Sequence, residues 1–287
     1  MEITHLKMFQ AVAEAGSVSG AAERLHCVQS NVTSRIKNLE KELETLLFHR
    51  KSRGMILTPA GHVLLDYARQ IIHLEKDAKQ VLLDDDLVQG PLLIGAFESI
   101  AAIRLPKLLA RYHMQYPQVE LSLITGTSTE LNKKVLDYEV EGAFVTDGYR
   151  TPGIQWSEAF YEELVIVSPT GNDRLLDAAQ KSILVFPRPC AYRERLEQWL
   201  QANGLAPRRQ IELGSSDGIV KCISAGMGIS ILPFSTVESA VKQGVVSIQR
   251  LDSSLASVPI MFVRRKGAHE SKPLSAFLDL VSQSHIN

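Results

Sequence analysis

The sequence predicts a multidomain α/β chain: a small, mostly helical N-terminal domain (1–58), one long linking helix (59–88) and a two-lobed α/β domain (89–287). Three observations predict it. Apolar residues recur at helical spacing through the first 58 positions. A three- and four-residue repeat then runs on from Leu64 to Leu82. From Leu92 onward, short buried-strand runs alternate with helical stretches closed by Gly or Pro. A chain of 287 residues, 45% of them hydrophobic, is long for one core and can bury several.

The N-terminal domain reads as two helices at a sharp turn followed by a basic hairpin. In the first helix Ala21, Ala22 and Leu25 share one stripe, so small side chains lie where a second helix approaches closely, and Ser17 or Ser19 can cap it. After a turn around His26 and Cys27, the residues Val28, Val32, Ile36, Leu39 and Leu43 mark the buried stripe of the next helix. Its remaining faces carry Gln29, Ser30, Thr33, Ser34, Arg35 and Lys37, with no carboxylate from Gln29 up to Glu40. Amide, hydroxyl and guanidinium groups near a helix N-terminus are the groups that read base edges and grip phosphates in a DNA major groove. We therefore assign DNA contacts to Ser17, Gln29, Ser30, Thr33, Ser34, Arg35 and Lys37, and phosphate contacts to Arg50 and Arg53 in the hairpin. The formal net charge is only −1, so DNA affinity must come from local placement. Between Arg35 and Arg53 six basic residues face three carboxylates, a modest patch that calls for a dimer.

Leu6, Phe9, Ala21-Ala22, Gln29-Ser30, Leu39-Glu40, Leu47-Phe48, Arg50 and Leu57-Thr58-Pro59-Ala60-Gly61 form a dense, specific pattern. On these residues the stretch resembles the winged helix-turn-helix of LysR-type transcriptional regulators. One departure is Glu44, where the family usually has the Gly that ends the recognition helix; the expectation is a helix that ends later or differently.

From Pro59 to about Asp86 a single helix is expected, roughly 40 Å long at 1.5 Å per residue. Leu64, Tyr67/Ala68, Ile71, Leu74, Ala78 and Val81/Leu82 follow the spacing of a coiled-coil seam, which we read as a dimer seam. Asp84-Asp85-Asp86 and then Gln89-Gly90-Pro91 end the helix and make a hinge.

Beyond the hinge the pattern predicts an α/β arrangement with a mostly parallel sheet. Strands are expected at 92–97, 119–124, 142–146, 163–168, 182–186, 210–213, 228–232, 245–251 and 258–264, with helices at 101–115, from a capping box at Thr127 to Glu130, at 192–203, 216–225 and 271–284. Two lobes follow, one of about 91–161 with 267–287 and one of about 162–266, and a crevice lies between them. Pro117 with Val119-Glu120-Leu121, and Ala225-Gly226-Met227-Gly228-Ile229 with Leu232-Pro233, extend the resemblance to the effector domain of the same family, whose fold is like that of type 2 periplasmic binding proteins. Where many relatives have Asp before the third strand, this chain has Val140-Glu141-Gly142.

In such a crevice the strand ends and helix starts face a ligand. We assign a small-molecule effector to Ser99, Ile100, Thr127, Ser128, Thr146, Cys190, Tyr192 and Ser215, where exposed N–H groups and hydroxyls form an anion or polar-headgroup site. Pro189 and Ser216 accompany them. Arg188 and Arg193 could neutralise an acidic ligand, while Glu98 argues the other way. Each hydroxyl is also a plain N-cap, and only their convergence makes a site.

Catalytic signatures are lacking: there is no nucleophile elbow, phosphate loop or Ser-Xaa-Xaa-Lys, and Gly226-Met227-Gly228 follows a helix, as a helix stop does. The expectation is a non-enzyme without metal or resident cofactor. The three cysteines, Cys27, Cys190 and Cys222, make no disulfide or zinc framework. Cys190 and Cys222, both in the second lobe, open an alternative, a thiol redox switch with Cys190 activated by Arg188, Arg193 and Arg195. The start Met-Glu-Ile-Thr-His-Leu-Lys is no signal peptide, and no apolar run approaches the ~20 residues of a membrane span, so a cytoplasmic place and no membrane partner are expected. The resemblance implies double-stranded DNA as partner, self-association as a dimer and then a tetramer, and RNA polymerase as a further candidate partner.

Overall fold

The computed structural model describes residues 1–51, 54–82, 87–146, 150–171 and 182–283. The chain divides into two compact units, Met1–Asp86 and Leu87–Asn287.

In the first unit α1 (Ile3–Ala15), α2 (Val18–Arg24) and α3 (Gln29–Glu42) precede a hairpin of β1 (Phe48–Lys51) and β2 (Gly54–Leu57) and the long helix α4 (Pro59–Leu82). The helices cross on the small residues, with Ala21 and Ala22 buried against Phe9, Val12, Val32 and Ile36. Ser17 is the cap of α2, its hydroxyl accepting from Gly20 N–H at 3.1 Å. The stripe of α3 is shorter than its spacing predicts. Val32, Ile36 and Leu39 are buried, but Val28 is 68% exposed, because it is the cap residue outside the helix, and Leu43 lies past its last turn and is exposed.

Three helices end in the same way without glycine. His26, Glu44 and Tyr138 have φ of 49°, 50° and 58°. At Glu44 the expectation of a later end is overturned: α3 stops at Glu42, with Glu44 N–H donating to Lys41 O and Thr45 N–H to Glu40 O, the two bonds of a Schellman turn. The bonds to the orphan carbonyls outweigh the cost of a left-handed Glu. Glu44→Gly should therefore stabilise the N-terminal unit by about 1 kcal/mol; a urea midpoint that stays or falls would show that the turn is not strained.

The wing is pinned at three places. Glu40 carboxylate accepts from Leu47 and Phe48 N–H at 2.9 and 3.3 Å, Met55 N–H donates to Gly16 O at 2.8 Å, and Phe9 and Phe48 rings pack with centroids 5.3 Å apart. Thr58 then caps α4, its hydroxyl accepting from Gly61 N–H at 3.0 Å and donating to Leu46 O at 2.7 Å.

The 24 residues of α4 have two apolar faces. Leu65 and Ala68, with Leu64, Ile71 and Ile72 beside them, pack on the core of α1–α3, and Lys7 pairs with Glu75 at 3.0 Å. Val63, Tyr67, Leu74, Ala78 and Leu82 face outward, Tyr67 and Leu74 59% and 62% exposed. The predicted seam thus splits: Leu64, Ala68 and Ile71 serve the domain's own core. The predicted end at Asp84-Asp85-Asp86 lies outside the described residues.

The second unit is built on β3 (Gly90–Ala96), a five-residue π-helix (Ile100–Arg104), α5 (Leu105–Gln115), β4 (Val119–Thr125), α6 (Ser128–Leu136), β5 (Gly142–Thr146) and β6 (Ile154–Ser168). After these come β7 (Ser182–Val185), α7 (Ala191–Ala202), β8 (Arg209–Glu212), α8 (Ser216–Ser224), β9 (Ser230–Pro233), α9 (Phe234–Lys242), β10 (Ser247–Arg250), α10 (Ser253–Ala256), β11 (Ser257–Arg265) and α11 (Lys272–Gln283). The sheet is mixed rather than mostly parallel. It runs β10-β6-β11-β5-β3-β4 with β9 also on β6; β3 pairs in parallel with β4 and β5, while β11, β9 and β10 run antiparallel to their partners. Parallel β7 and β8 form a separate pair. The cause is β6, fifteen residues long where a six-residue strand was expected, which belongs to both lobes. Its first part pairs with β11 beside β5, and Leu164 to Ser168 pair with β9 and β10.

As expected, α11 returns to the first lobe, where Tyr112 donates to Pro273 O at 2.7 Å and its ring meets Phe277 at 5.4 Å. Gly226, at φ 84°, ends α8 with the Schellman pair Gly226 N–H to Ile223 O and Met227 N–H to Cys222 O, the helix stop that its position predicts. Glu141, at the unusual Val140-Glu141-Gly142 turn, accepts from Ser271 at 2.5 Å and so ties that turn to the start of α11.

Candidate functional site

The first unit presents α3 as its candidate reader helix. Gln29, Ser30, Ser34 and Lys37 are exposed on α3 and Thr33 is half-buried. Arg35 turns the other way: its guanidinium lies 3.0 Å from His5 Nε2 and 3.5 Å from Glu2, so part of its donor set is held on α1. Ser17 uses its hydroxyl as a cap. Arg50 falls in β1, but its side chain, and the whole of Arg53, lie outside the described residues.

The second unit holds a cavity of about 260 Å³ between its lobes. From the first lobe, the β3 end brings Phe97, Glu98 and Ser99; the α6 start brings Thr127, Ser128 and Glu130; the β5 end brings Thr146. From the second lobe come Phe186, Pro187, Pro189, Cys190, Ala191 and Tyr192 at the start of α7, and Gly214 before α8. Six of the eight expected effector residues meet there. Ile100 does not; as the first residue of the π-helix its side chain enters the core and is 1% exposed. Ser215 does not either, because its hydroxyl folds back to accept from Gly218 N–H at 3.4 Å, leaving Ser216 to face inward. Spacing alone did not single out Phe97, Glu130, Pro187 or Gly214; strand ends that precede helix starts were the only available signal.

The polar groups of the cavity differ in how far they are committed. Thr127 and Glu130 form a full capping box, the carboxylate accepting from Thr127 N–H at 2.8 Å and hydroxyl at 3.0 Å. These bonds hold the Glu130 carboxyl below the usual range. Ser128 and Thr146 hydroxyls bond each other at 3.1 Å, and Thr146 N–H donates to Ser128 at 3.3 Å. Ser99 and Tyr192 are the open ones. Both are nearly fully buried, and neither hydroxyl has a partner at hydrogen-bond geometry, although Ser99 stands near enough to act on Tyr192's ionisation. Burial, aided by the Glu162 carboxylate, pushes the Tyr192 phenol well up, so it stays a neutral donor. Unsatisfied hydroxyls in a cavity wall are groups that a ligand can complete.

Below this wall lies a buried ion pair. Arg104, on the π-helix, donates to Glu162 on β6 at 2.7 Å, and Ser235 on α9 donates to the other carboxylate oxygen at 3.0 Å. Arg188 and Arg193, expected to meet an acidic ligand, are engaged elsewhere: Arg188 grips both oxygens of Glu197, and Arg193 bonds Glu197 and Glu212.

Nor do they activate Cys190. Burial pushes its thiol up, and the N–H groups of Arg193 and Tyr192 offset that only in part. The thiol is thus more protonated at neutral pH than a free cysteine, and its alkylation by iodoacetamide should reach half-maximal rate at a higher pH than a free thiol shows. A lower midpoint would revive the redox reading. Cys222 packs with the cluster around Ile219 and Ile223 as a small hydrophobe.

A helix-turn-helix with a wing, joined to a two-lobed domain with a ligand-sized crevice, defines a ligand-responsive DNA-binding protein. The chain matches the family model "Bacterial regulatory helix-turn-helix protein, lysR family" over residues 3–62 and the "LysR substrate binding domain" over residues 85–285. It belongs to the LysR family of transcriptional regulators. It is 39% identical over 281 residues to the HTH-type transcriptional regulator GltR of Bacillus subtilis, covering 97% of this chain and 95% of that one. Among solved structures, CbnR complexed with its target DNA aligns with a TM-score of 0.65 at 27% identity over 99% of both chains. A full-length OxyR variant from Pseudomonas aeruginosa aligns with a TM-score of 0.77 at 21% identity, over 100% of this chain and 96% of that one, a likeness of fold. The chain is thus a DNA-binding transcriptional regulator with an effector-binding domain. No helix among the described residues is long and apolar enough to cross a membrane.

Proposed function

We propose that α3 reads the operator through Gln29, Ser30, Thr33, Ser34 and Lys37, with Arg50 and Arg53 on flanking phosphates and Arg35 in a positioning role. We propose further that a second copy covers the outward face of α4, that the effector domains extend the dimer to a tetramer, and that the protein acts in the cytoplasm beside RNA polymerase, not as an enzyme. The exposure of Tyr67 and Leu74 on a helix whose opposite face is already buried supports the dimer. The crevice carries the regulatory reading, and one observation carries the crevice: two buried, unsatisfied hydroxyls, Ser99 and Tyr192, in the wall of a cavity shared by both lobes. A ligand that completes them in one relative orientation of the lobes shifts the population toward that orientation, and promoter engagement with it.

The reader helix is tested by Gln29→Ala, which should cost about 1 to 3 kcal/mol on the cognate operator and relax specificity at one position. Fluorescence anisotropy with cognate and scrambled duplexes measures both. Undiminished discrimination would remove Gln29 from base readout.

A further inference from the structure

The charges that face the crevice are of one sign. Among the described residues its walls carry the carboxylates of Glu98 and Glu130 and no lysine, arginine or histidine. Arg188, Arg193 and Arg104, on elements that border it, are engaged with Glu197, Glu212 and Glu162. The same lining holds an aromatic cluster: the Tyr192 ring meets Phe97 edge-on at 5.6 Å and Phe186 at 6.4 Å, with Pro187 and Pro189 beside them. Ring faces and carboxylates both present negative potential, so each attracts a cation and repels an anion. A carboxylate ligand would meet no cationic side chain among the described wall residues. The Ser99 hydroxyl, 3% exposed and without a partner, independently supplies an acceptor in the same wall.

Resting on the reading of the crevice as the effector site, we propose that its ligand is a compact amine: an ammonium group held at Glu98 and Ser99, on a small apolar frame that lies against Phe97, Phe186 and Tyr192. A cavity of about 260 Å³ sits at the small end of ligand sites and limits the frame to a few carbons or one ring. Glu98 also gives the ligand a way to act. Its carboxylate crosses from the first lobe to the start of α8 in the second, accepting from the Ser216 N–H at 3.3 Å and from the Ser216 hydroxyl. The group that binds the cation is therefore the group that joins the lobes.

The test is calorimetric titration of the full-length protein with two matched sets, benzylamine, benzoate and benzyl alcohol, and isobutylamine, isobutyrate and isobutanol, at pH 7.5. At least one amine should bind ten-fold or more tighter than the carboxylate and alcohol of its own frame. Glu98→Gln, which can still accept from Ser216, should lose that preference ten-fold, and Ser99→Ala should weaken the amine about three-fold while keeping the order of the set. Melting curves of each variant without probe report the fold, and Glu130→Gln serves as the second charge variant. Tighter carboxylate binding, an amine preference that survives both Glu→Gln changes, or binding by none of the six overturns the proposal. If a carboxylate or alcohol binds and Ser99→Ala weakens it, the crevice remains the effector site and only its charge preference is wrong. If a probe binds and none of the three substitutions alters its affinity, the crevice reading falls as well.

Discussion

Arg104→Ala should destabilise the effector-binding unit by about 3 to 5 kcal/mol, the largest loss expected of a single side chain in this molecule. Glu162 is 1% exposed and its two oxygens are held by Arg104 and Ser235. With the guanidinium gone, one hydroxyl is left to compensate a buried charge, which costs far more than the pair contributes when intact. The pair itself is replaceable: Arg104→Met combined with Glu162→Leu should recover most of the loss, since neither charge is then buried. Urea unfolding of the wild type, the single and the double variant decides this. A single variant within 1 kcal/mol of wild type, or a double variant worse than the single, would mean that water reaches Glu162 and that the pair is not buried in solution.

Gly61→Ala should be the most damaging small change in the first unit, at about 3 kcal/mol. A Cβ at this position would overlap the Leu47 carbonyl oxygen and press on the Leu57 side chain. The Leu47 carbonyl cannot yield easily, because it accepts from Thr58 N–H at 3.0 Å and its neighbour Leu46 O accepts from the Thr58 hydroxyl. Overpacking a rigid contact costs about 1 to 3 kcal/mol and more where backbone must move. The substitution is helix-favouring by propensity, so a propensity view predicts the opposite sign. Operator affinity and the unfolding of the first unit should fall together; an unchanged or raised unfolding midpoint would show that α4 can shift away from the wing.

The first unit was legible from its residues because it is built of local rules: Ser17 and Thr58 cap, Ala21 and Ala22 allow a close crossing, and the α3 stripe follows the helical period. Where those readings failed, at Leu25, Val28 and Leu43, they failed at helix ends, where one residue decides between core and solvent. In the second unit α9 went unread because Pro233 both ends β9 and caps the helix, leaving no loop between them. The first part of β6 went unread because Gln155, Ser157, Glu158 and Tyr161 break the apolar run, and only pairing with β11 holds that stretch extended. Ser99, Thr127, Ser128 and Thr146 could be placed at strand ends and helix starts. That Glu98 reaches Ser216 could not, since these residues are 118 positions apart and the distance between lobes has no local signature.

A strand that belongs to both lobes makes closure a matter of twisting a ribbon. No flexible loop separates the β11-paired part of β6 from the part that pairs with β9 and β10, so rotation of one lobe against the other must be taken up as a change of strand twist. The β6–β11 ladder is interrupted at one place, the register shift between Ile260 and Met261, where β11 faces Phe160 and Glu158, one residue of β6 is left over, and such a bulge bends the strand and raises its twist. That place is two residues from Glu162. We therefore expect the crevice to open by a small twist of this shared strand instead of the free swing of a loop.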